Sequence, residues 1–209
     1  MTDWTTSTWL VAGARNRTPG EPLNVPPVFA SNFYLTDDRV YSRAEGTPTT
    51  DALEELLGRL DGGRALAFAS GMAAAAVVFQ RLAVGAQIAV PTDPYHGVAG
   101  IVAEGEQQGR WTVRRLDQAD TDAWVDAVGQ CDLVWLESPE NPLITVADLP
   151  TICSAPRSPD TIVAVDSTFA TPLNQQPLTL GADVVMHSAT KFIGGHSDLL
   201  AGVLVVDRD

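Results

Sequence analysis

The sequence predicts an α/β domain with a mostly parallel sheet flanked by helices. Short apolar runs alternate with helical stretches from residue 64 onward, and this alternation is typical of parallel sheets. The chain has 209 residues, of which 45% are hydrophobic, and this is enough for one main domain. We find neither an internal repeat nor a low-complexity segment in it.

The first part of the chain, residues 1 to about 48, predicts an extended arm that cannot fold alone. It is rich in Thr, Pro, Asn and Gly. Periodicity is broken by Pro19, Pro22, Pro26 and Pro27. We therefore divide the chain into an arm, 1–48, and an α/β domain, 49–209.

The domain is predicted to begin with an amphipathic helix from Pro48. Asp51 and Glu54 resemble a capping pair at its start, and Gly62-Gly63 is a typical stop. Leucines follow the helical spacing i, i+3, i+4 and i+7, at Leu53, Leu56, Leu57 and Leu60.

The remaining elements follow in alternation. Helices are predicted at about 72–83, 95–108 and 121–129. Apolar runs predict seven strands: RALAF (64–68), QIAV (87–90), WTVRRL (111–116), LVWLES (133–138), TIVAVD (161–166), DVVMHS (183–188) and GVLVV (202–206).

Composition excludes several classes of partner. The formal charge of -13 repels nucleic acid and anionic membrane surfaces, so neither is expected as a partner. No apolar stretch is long enough to span a bilayer, and the first ten residues do not resemble a signal peptide. We expect a cytoplasmic protein. Cys131 and Cys153 lie in apolar segments outside any CxxC pair, which predicts two buried thiols.

Ligands of open α/β sheets bind at the carboxyl ends of the strands, so we looked for polar residues there. Ser70-Gly71-Met72 leads from a strand into a helix, where free N–H groups and the helix dipole favour an anion such as phosphate. Asp166 ends an apolar run and should face a cation or donor, such as a pyridinium nitrogen. Each has a plainer alternative: a tight turn for the glycine, and a helix cap or loop hydrogen bond for the aspartate.

Lys191 follows two hydroxyl residues, Ser188 and Thr190. In an extended segment these hydroxyls would lie on one side and the amine on the other, an arrangement that suits a ligand with a phosphate and a reactive group. A lysine in an α/β crevice can be desolvated and so become a nucleophile. The alternative is an ordinary surface lysine.

His187, His196 and Asp198 are close in sequence but do not have the spacing of a metal site. Gly194-Gly195 between them indicates a turn. We predict no bound metal.

Together these residues resemble the Cys/Met-metabolism family of pyridoxal 5'-phosphate (PLP) enzymes, which includes cystathionine γ-synthase, γ-lyase and β-lyase and methionine γ-lyase. The resemblance covers nearly the whole chain, and its most specific block is DVVMHSATKFIGGHSDLLAG (183–202). Supporting blocks occur in the same order as in the family: YSR (41–43), FASGMAA (68–74), ESPENP (137–142) and VDSTFATP (165–172). It implies the large domain of an aspartate aminotransferase-like PLP fold.

The resemblance also implies roles for individual residues. Lys191 would bind the cofactor covalently and later move the substrate's protons, and Asp166 would pair with the ring nitrogen so that the ring acts as an electron sink. Tyr95 would stack on the ring and assist proton transfer.

The phosphate would be held by the backbone of Gly71 and Met72 and by the hydroxyls of Ser188 and Thr190. Ser70, which begins this turn, belongs to the same predicted cofactor site.

Two further pairs are implied. Glu137 and Asn141 would lie near the hydroxyl side of the ring. Tyr41 and Arg43 would reach the phosphate of a neighbouring subunit, which makes the arm a dimer element. The resemblance thus implies an amino-acid substrate and a homodimer or homotetramer with a shared active site.

The sequence departs from the family at two places. The segment YSRAEGTPT (41–49) has a loop of its own after Arg43. Family members also continue into a smaller C-terminal domain, which is absent here and whose arginine binds the substrate carboxylate. We therefore expect a fragment, one half of a split enzyme or a degenerate copy.

Two functions remain open at this point. One is elimination or replacement at Cγ or Cβ of cystathionine or a related sulfur amino acid, with γ-lyase or γ-synthase favoured. Methionine γ-lyase is disfavoured because Gly97 stands where that enzyme typically has cysteine. The other is a non-catalytic interaction protein. A nucleotide-binding domain is set aside because no glycine-rich phosphate motif is present.

Overall fold

The computed structural model describes residues 4–35 and 39–207. Residues 1–3 and 36–38 of the predicted arm, and residues 208–209, lie outside this part. Three helices come first: α1 (Thr6–Ala12), α2 (Ser42–Glu45) and α3 (Pro48–Asp61).

The prediction of an arm extended throughout is wrong at two places, since α1 and α2 both lie within it. Helix α1 forms because the Thr5 hydroxyl accepts a hydrogen bond from the Thr8 N–H. Trp9 on α1 packs on the cluster that contains Leu57 of α3. Local capping and this tertiary contact outweigh the helix-breaking composition.

The start of α3 also differs from the prediction. Its cap is Thr47, whose side chain accepts from the Thr50 N–H, while the Thr50 hydroxyl accepts from the Thr47 N–H. The expected pair Asp51 and Glu54 is therefore wrong, because the helix begins one turn earlier than that pair requires. The end is as predicted, with Gly62 in the left-handed conformation at φ 83.

From residue 64 strands and helices alternate as predicted, although three short helical segments, Leu149–Cys153, Thr171–Asn174 and Pro177–Leu180, were not predicted. The helices are α4 (Gly71–Gln80), α5 (His96–Gln107), α6 (Thr121–Val128), α7 (Leu149–Cys153), α8 (Thr171–Asn174) and a 3₁₀ turn (Pro177–Leu180). The strands are β1 (Arg64–Phe68), β2 (Ala86–Pro91), β3 (Trp111–Leu116), β4 (Leu133–Glu137), β5 (Ile162–Asp166), β6 (Val184–His187) and β7 (Gly202–Val206). Helix α4 ends three residues before the predicted 83.

The seven strands form one sheet in the order β1-β7-β6-β5-β4-β2-β3. Strands β6, β5, β4, β2 and β3 pair in parallel, and β7 is antiparallel to both its neighbours. This confirms the predicted fold class. The carboxyl ends of β4, β5 and β6 therefore lie at one edge of the sheet, where α/β proteins bind ligands.

Both faces of the sheet are buried, as expected for parallel strands. On one face Leu133 and Trp135 of β4 pack with residues of α4 and α5. On the other face Val134 and Leu136 pack with residues of α6 and α7. Alternate residues of a strand thus face different clusters, and this determines which strand-end side chains share a site.

Cys131 and Cys153 are buried and free, as predicted. Burial raises the pKa of the Cys153 thiol to about 12, so this thiol is not a nucleophile at neutral pH. No helix within 4–35 and 39–207 is both long enough and apolar enough to cross a membrane.

Candidate active site

A pocket of about 190 Å³ opens where β4, β5 and β6 end and α4 begins. It contains ten of the twelve residues predicted for the site: Ser70, Gly71, Met72, Tyr95, Glu137, Asn141, Asp166, Ser188, Thr190 and Lys191. Residues that are more than 100 positions apart in sequence thus meet in one cavity.

The start of α4 forms one wall of the pocket. The Ser70 hydroxyl accepts from the Ala73 N–H at 3.1 Å and caps the helix. The N–H groups of Gly71 and Met72 have no acceptor among the described residues. Two free donors at the start of a ten-residue helix are suited to an anion.

Glycines permit the close packing of this wall. A Cβ on Gly71 would lie 2.7 Å from Ser188 Cβ. A Cβ on Gly202, the first residue of β7, would lie 2.1 Å from the Ser70 carbonyl oxygen. Sequence reasoning did not single out Gly202, although it ends the most specific motif block.

Two carboxyl groups form the floor of the pocket. Glu137 and Asp166 are paired residues at the ends of β4 and β5. Burial and the charge of Asp166 raise the pKa of Glu137 to about 7. Burial also raises the pKa of Asp166, against hydrogen bonds from Thr168 that lower it. Two acids held together in this way favour a cationic partner.

Glu137 also fixes the position of Tyr95. Its two carboxylate oxygens accept from the Tyr95 N–H at 2.9 and 3.1 Å, and one accepts from the Trp135 ring N–H at 3.2 Å. Gln118, which the sequence did not indicate, donates to the Glu137 carbonyl at 2.6 Å. By binding the backbone N–H of Tyr95, the Glu137 carboxylate thus helps to fix the position of the Tyr95 ring.

Thr168 links the ends of β5 and β6. Its N–H donates to Asp166 Oδ1 at 3.0 Å, and its hydroxyl oxygen accepts from the Ser188 N–H at 2.8 Å. The Ser167 N–H donates to the Met186 carbonyl at 2.9 Å. The position of Asp166 therefore depends on the end of β6.

Lys191 lies at the exposed mouth of the pocket. The predicted extended segment is wrong here, because the Lys191 N–H donates to the Ser188 carbonyl at 3.0 Å and closes a turn. The turn, and not strand alternation, brings the amine and the Ser188 hydroxyl into one cavity. Lys191 is also the only lysine in the sequence.

Three other predicted residues have distinct positions. The Thr190 hydroxyl exchanges hydrogen bonds with the backbone of Ala201 at 3.1 and 3.2 Å, so it fastens the loop that follows. Asn141 is exposed at the pocket rim. Tyr41 and Arg43 are exposed and do not line the pocket, and the Arg43 guanidinium lies 5.6 Å from the Tyr41 ring centre.

His187 is buried on the opposite side of β6 from Ser188, whereas His196 and Asp198 are exposed. Within 4–35 and 39–207 no group of three or more His, Cys, Asp or Glu side chains is arranged to hold a metal ion.

The lining residues match the three reactive parts of PLP. Free N–H groups and the Ser188 hydroxyl suit its phosphate, the Lys191 amine suits its aldehyde, and the Asp166 carboxylate suits its ring nitrogen. Ionised Asp166 would supply negative charge where that nitrogen carries a proton. The pocket therefore fits this cofactor.

Comparison with known proteins agrees with this geometry. The family model described as Cys/Met metabolism PLP-dependent enzyme matches residues 16–209. The chloroplastic cystathionine beta-lyase of Arabidopsis thaliana is 43% identical over 168 residues, which are 79% of this chain and 36% of that protein. The cystathionine gamma-synthase of Mycobacterium bovis is 39% identical over 212 residues, which cover 95% of this chain and 53% of that protein.

Solved structures give the same family. The crystal structure of cystathionine gamma synthase from Xanthomonas oryzae pv. oryzae in complex with cystathionine matches with a TM-score of 0.90 and 35% identity, covering 100% of this chain and 56% of that chain. The chain thus spans between about a third and just over half of the length of these relatives. It belongs to the Cys/Met metabolism family of PLP-dependent enzymes.

Proposed function

We propose that this chain carries the cofactor site of an enzyme that eliminates or replaces a substituent at Cγ or Cβ of cystathionine or a related sulfur amino acid. The single observation that carries the proposal is the pocket that joins the only lysine, a buried acid pair and a helix start with free N–H groups. Relatives named for cystathionine beta-lyase and gamma-synthase support the substrate class.

PLP, when bound, supplies an electron sink that stabilises negative charge at the substrate's Cα. The part of this chain in the chemistry is to hold and move protons. Lys191 Nζ, at the mouth of the pocket, takes the proton from Cα. Asp166, at the floor of the pocket, keeps the ring nitrogen protonated. Glu137 holds Tyr95 in the pocket by accepting a hydrogen bond from the Tyr95 backbone N–H.

Between elimination at Cγ and elimination at Cβ, the sequence favours Cγ. The pocket adds one argument about the substrate. A side chain at Gly97 would place Cβ 2.5 Å from Met72 Sδ and 2.9 Å from Tyr95 Cε1. Met72 thus occupies the space that a cysteine side chain at Gly97 would need. This supports cystathionine over methionine as the substrate.

A neighbouring copy is part of the proposal. The phosphate of the cofactor is an anion, yet no arginine of the described chain lines the pocket. We propose that the arm, residues 1–48, contacts a second copy and presents Tyr41 and Arg43 to the phosphate site of that copy. The α/β domain, 49–209, would then share its site in a homodimer or homotetramer.

The test is turnover of cystathionine by the purified chain loaded with PLP. Elimination at Cγ releases cysteine, ammonia and 2-oxobutanoate, whereas elimination at Cβ releases homocysteine, ammonia and pyruvate. We expect 2-oxobutanoate, and its loss in Lys191→Ala. Pyruvate alone would move the assignment to Cβ. Absence of both products from a PLP-loaded chain would favour the alternative, a non-catalytic interaction protein or one half of a split enzyme.

A further inference from the structure

A buried acid and histidine lie outside the pocket and have no part in the chemistry above. Asp61, the last residue of α3, and His187, the last residue of β6, are both fully buried. Asp61 Oδ2 lies 2.8 Å from His187 Nε2. The pair joins two elements that are 126 positions apart in sequence.

The position of Asp61 is unfavourable for a carboxylate in two respects. A carboxylate in the last turn of a helix opposes the helix dipole, and burying one costs free energy unless it is paired. Within the described chain Asp61 Oδ1 and His187 Nδ1 have no hydrogen-bond partner. Each side chain therefore depends on the other for its polar contact.

The pair lies directly behind the cofactor pocket. Residues alternate along β6, so His187 faces α3 while its neighbour Ser188 lines the pocket. The Ser188 N–H donates to the Thr168 hydroxyl, and the Thr168 N–H donates to Asp166 Oδ1. A continuous path of covalent and hydrogen bonds thus runs from Asp61 to the acid at the pocket floor.

We propose that Asp61 and His187 are positioning residues that anchor the end of β6 to α3 and so hold Ser188 and Asp166 in place for the cofactor. This inference rests on the proposed cofactor site. Among the described residues the end of β6 has no other side-chain hydrogen bond to α3: the residues of this segment that pack with Leu57 and Leu60 of α3, Val185 and Ala189, are apolar.

Electrostatics agree with the geometry. Burial raises the pKa of Asp166, whereas the hydrogen bonds from Thr168 and the charge of His187 lower it. His187, which anchors the strand, thus also favours the ionised form of Asp166, and this is the form that a protonated ring nitrogen needs.

The experiment compares Asp61→Leu, Asp61→Asn and Leu57→Ala. Asp61→Leu removes the contact, and Asp61→Asn keeps an acceptor for His187. Leu57→Ala is the matched control, because Leu57 lies on the same helix and in the same buried cluster but makes no polar contact with His187. Three properties are measured: PLP affinity, the visible circular dichroism per bound PLP, and amide hydrogen exchange at Ser188 and Thr168 in the PLP-free protein.

We expect Asp61→Leu to weaken PLP binding at least about tenfold, to reduce the dichroism, and to speed exchange at both amides. Asp61→Asn stays close to the wild type, and Leu57→Ala lowers the melting temperature without these effects. If Asp61→Leu does not fold, Asp61→Ser, whose side chain is too short to reach His187, replaces it in the comparison.

Two results overturn the proposal. One is unchanged exchange and PLP affinity in the variant that lacks the contact. The other is an equal effect of Leu57→Ala at equal loss of thermal stability, which would reduce the pair to general packing. Failure of the wild type to bind PLP would instead refute the proposed cofactor site, and the exchange measurement would still decide the role of the pair.

Discussion

Replacing Glu137 with Gln should make the protein's stability less dependent on pH. Burial and Asp166 raise the pKa of Glu137 from 4.5 to about 7. A carboxyl whose pKa is raised on folding favours the folded state at low pH. This contribution is lost as pH rises, because the unfolded chain ionises from pH 4.5 while the folded chain remains protonated up to about pH 7.

The size of the effect follows from these two values. A tenfold change in proton affinity is worth about 1.4 kcal/mol, so Glu137 alone should lower the free energy of unfolding by about 2.5 kcal/mol between pH 5 and pH 8. Glutamine has no proton to release over this range and still offers an acceptor to the Tyr95 N–H. The fall between the two pH values should therefore be about 2.5 kcal/mol smaller in Glu137→Gln.

Urea unfolding of the PLP-free protein at pH 5 and pH 8 measures this difference. Glu104→Gln is the matched control for the chemical change, because Glu104 is exposed on α5 and its hydrogen bond from Gln108 survives the substitution. Equal pH dependence in Glu137→Gln and the wild type would refute the reasoning.

Three further predictions concern the pocket wall, the ring partner and the thiols. Gly202→Ala places Cβ 2.1 Å from the Ser70 carbonyl oxygen and should cost about 1–3 kcal/mol in thermal unfolding and weaken PLP binding; Gly100→Ala, in open space on α5, should instead be neutral or stabilising. Asp166→Ala should weaken PLP binding at least about tenfold while raising apo stability at pH 8, and tight PLP binding by the variant would count against the assigned role. Iodoacetamide should label Cys131 and Cys153 only in denaturant, as mass spectrometry would show, since both are buried.

The sheet was predictable from sequence because its strands are buried on both faces. Runs such as LVWLE have no polar side chain before the strand end, so each strand and the polar residue that follows it stand out. The same pattern located Asp166 and Glu137 at one edge of the sheet. Ser70 and Gly71 were predictable because the turn from strand to helix needs a cap and a small residue.

Other features depend on contacts that no local pattern contains. Helix α1 is stabilised by packing of Trp9 on the α3 cluster, so composition alone predicted an extended arm there. The Asp61 and His187 contact joins residues 126 positions apart, and their sequence neighbours give no sign of it. The Lys191 turn replaced the expected strand because hydrogen bonding from its N–H to Ser188 closes the chain immediately after β6.

The central claim is that Lys191 anchors PLP, and one measurement tests it directly. The protein is incubated with PLP and reduced with borohydride, and the modified peptide is located by mass spectrometry. Because Lys191 is the only lysine in the sequence, the only competing primary amine is the chain's N-terminus. The account predicts a pyridoxyl group on Lys191 in the wild type and none in Lys191→Arg. A chain that remains unmodified, or is modified only at its N-terminus, would contradict it.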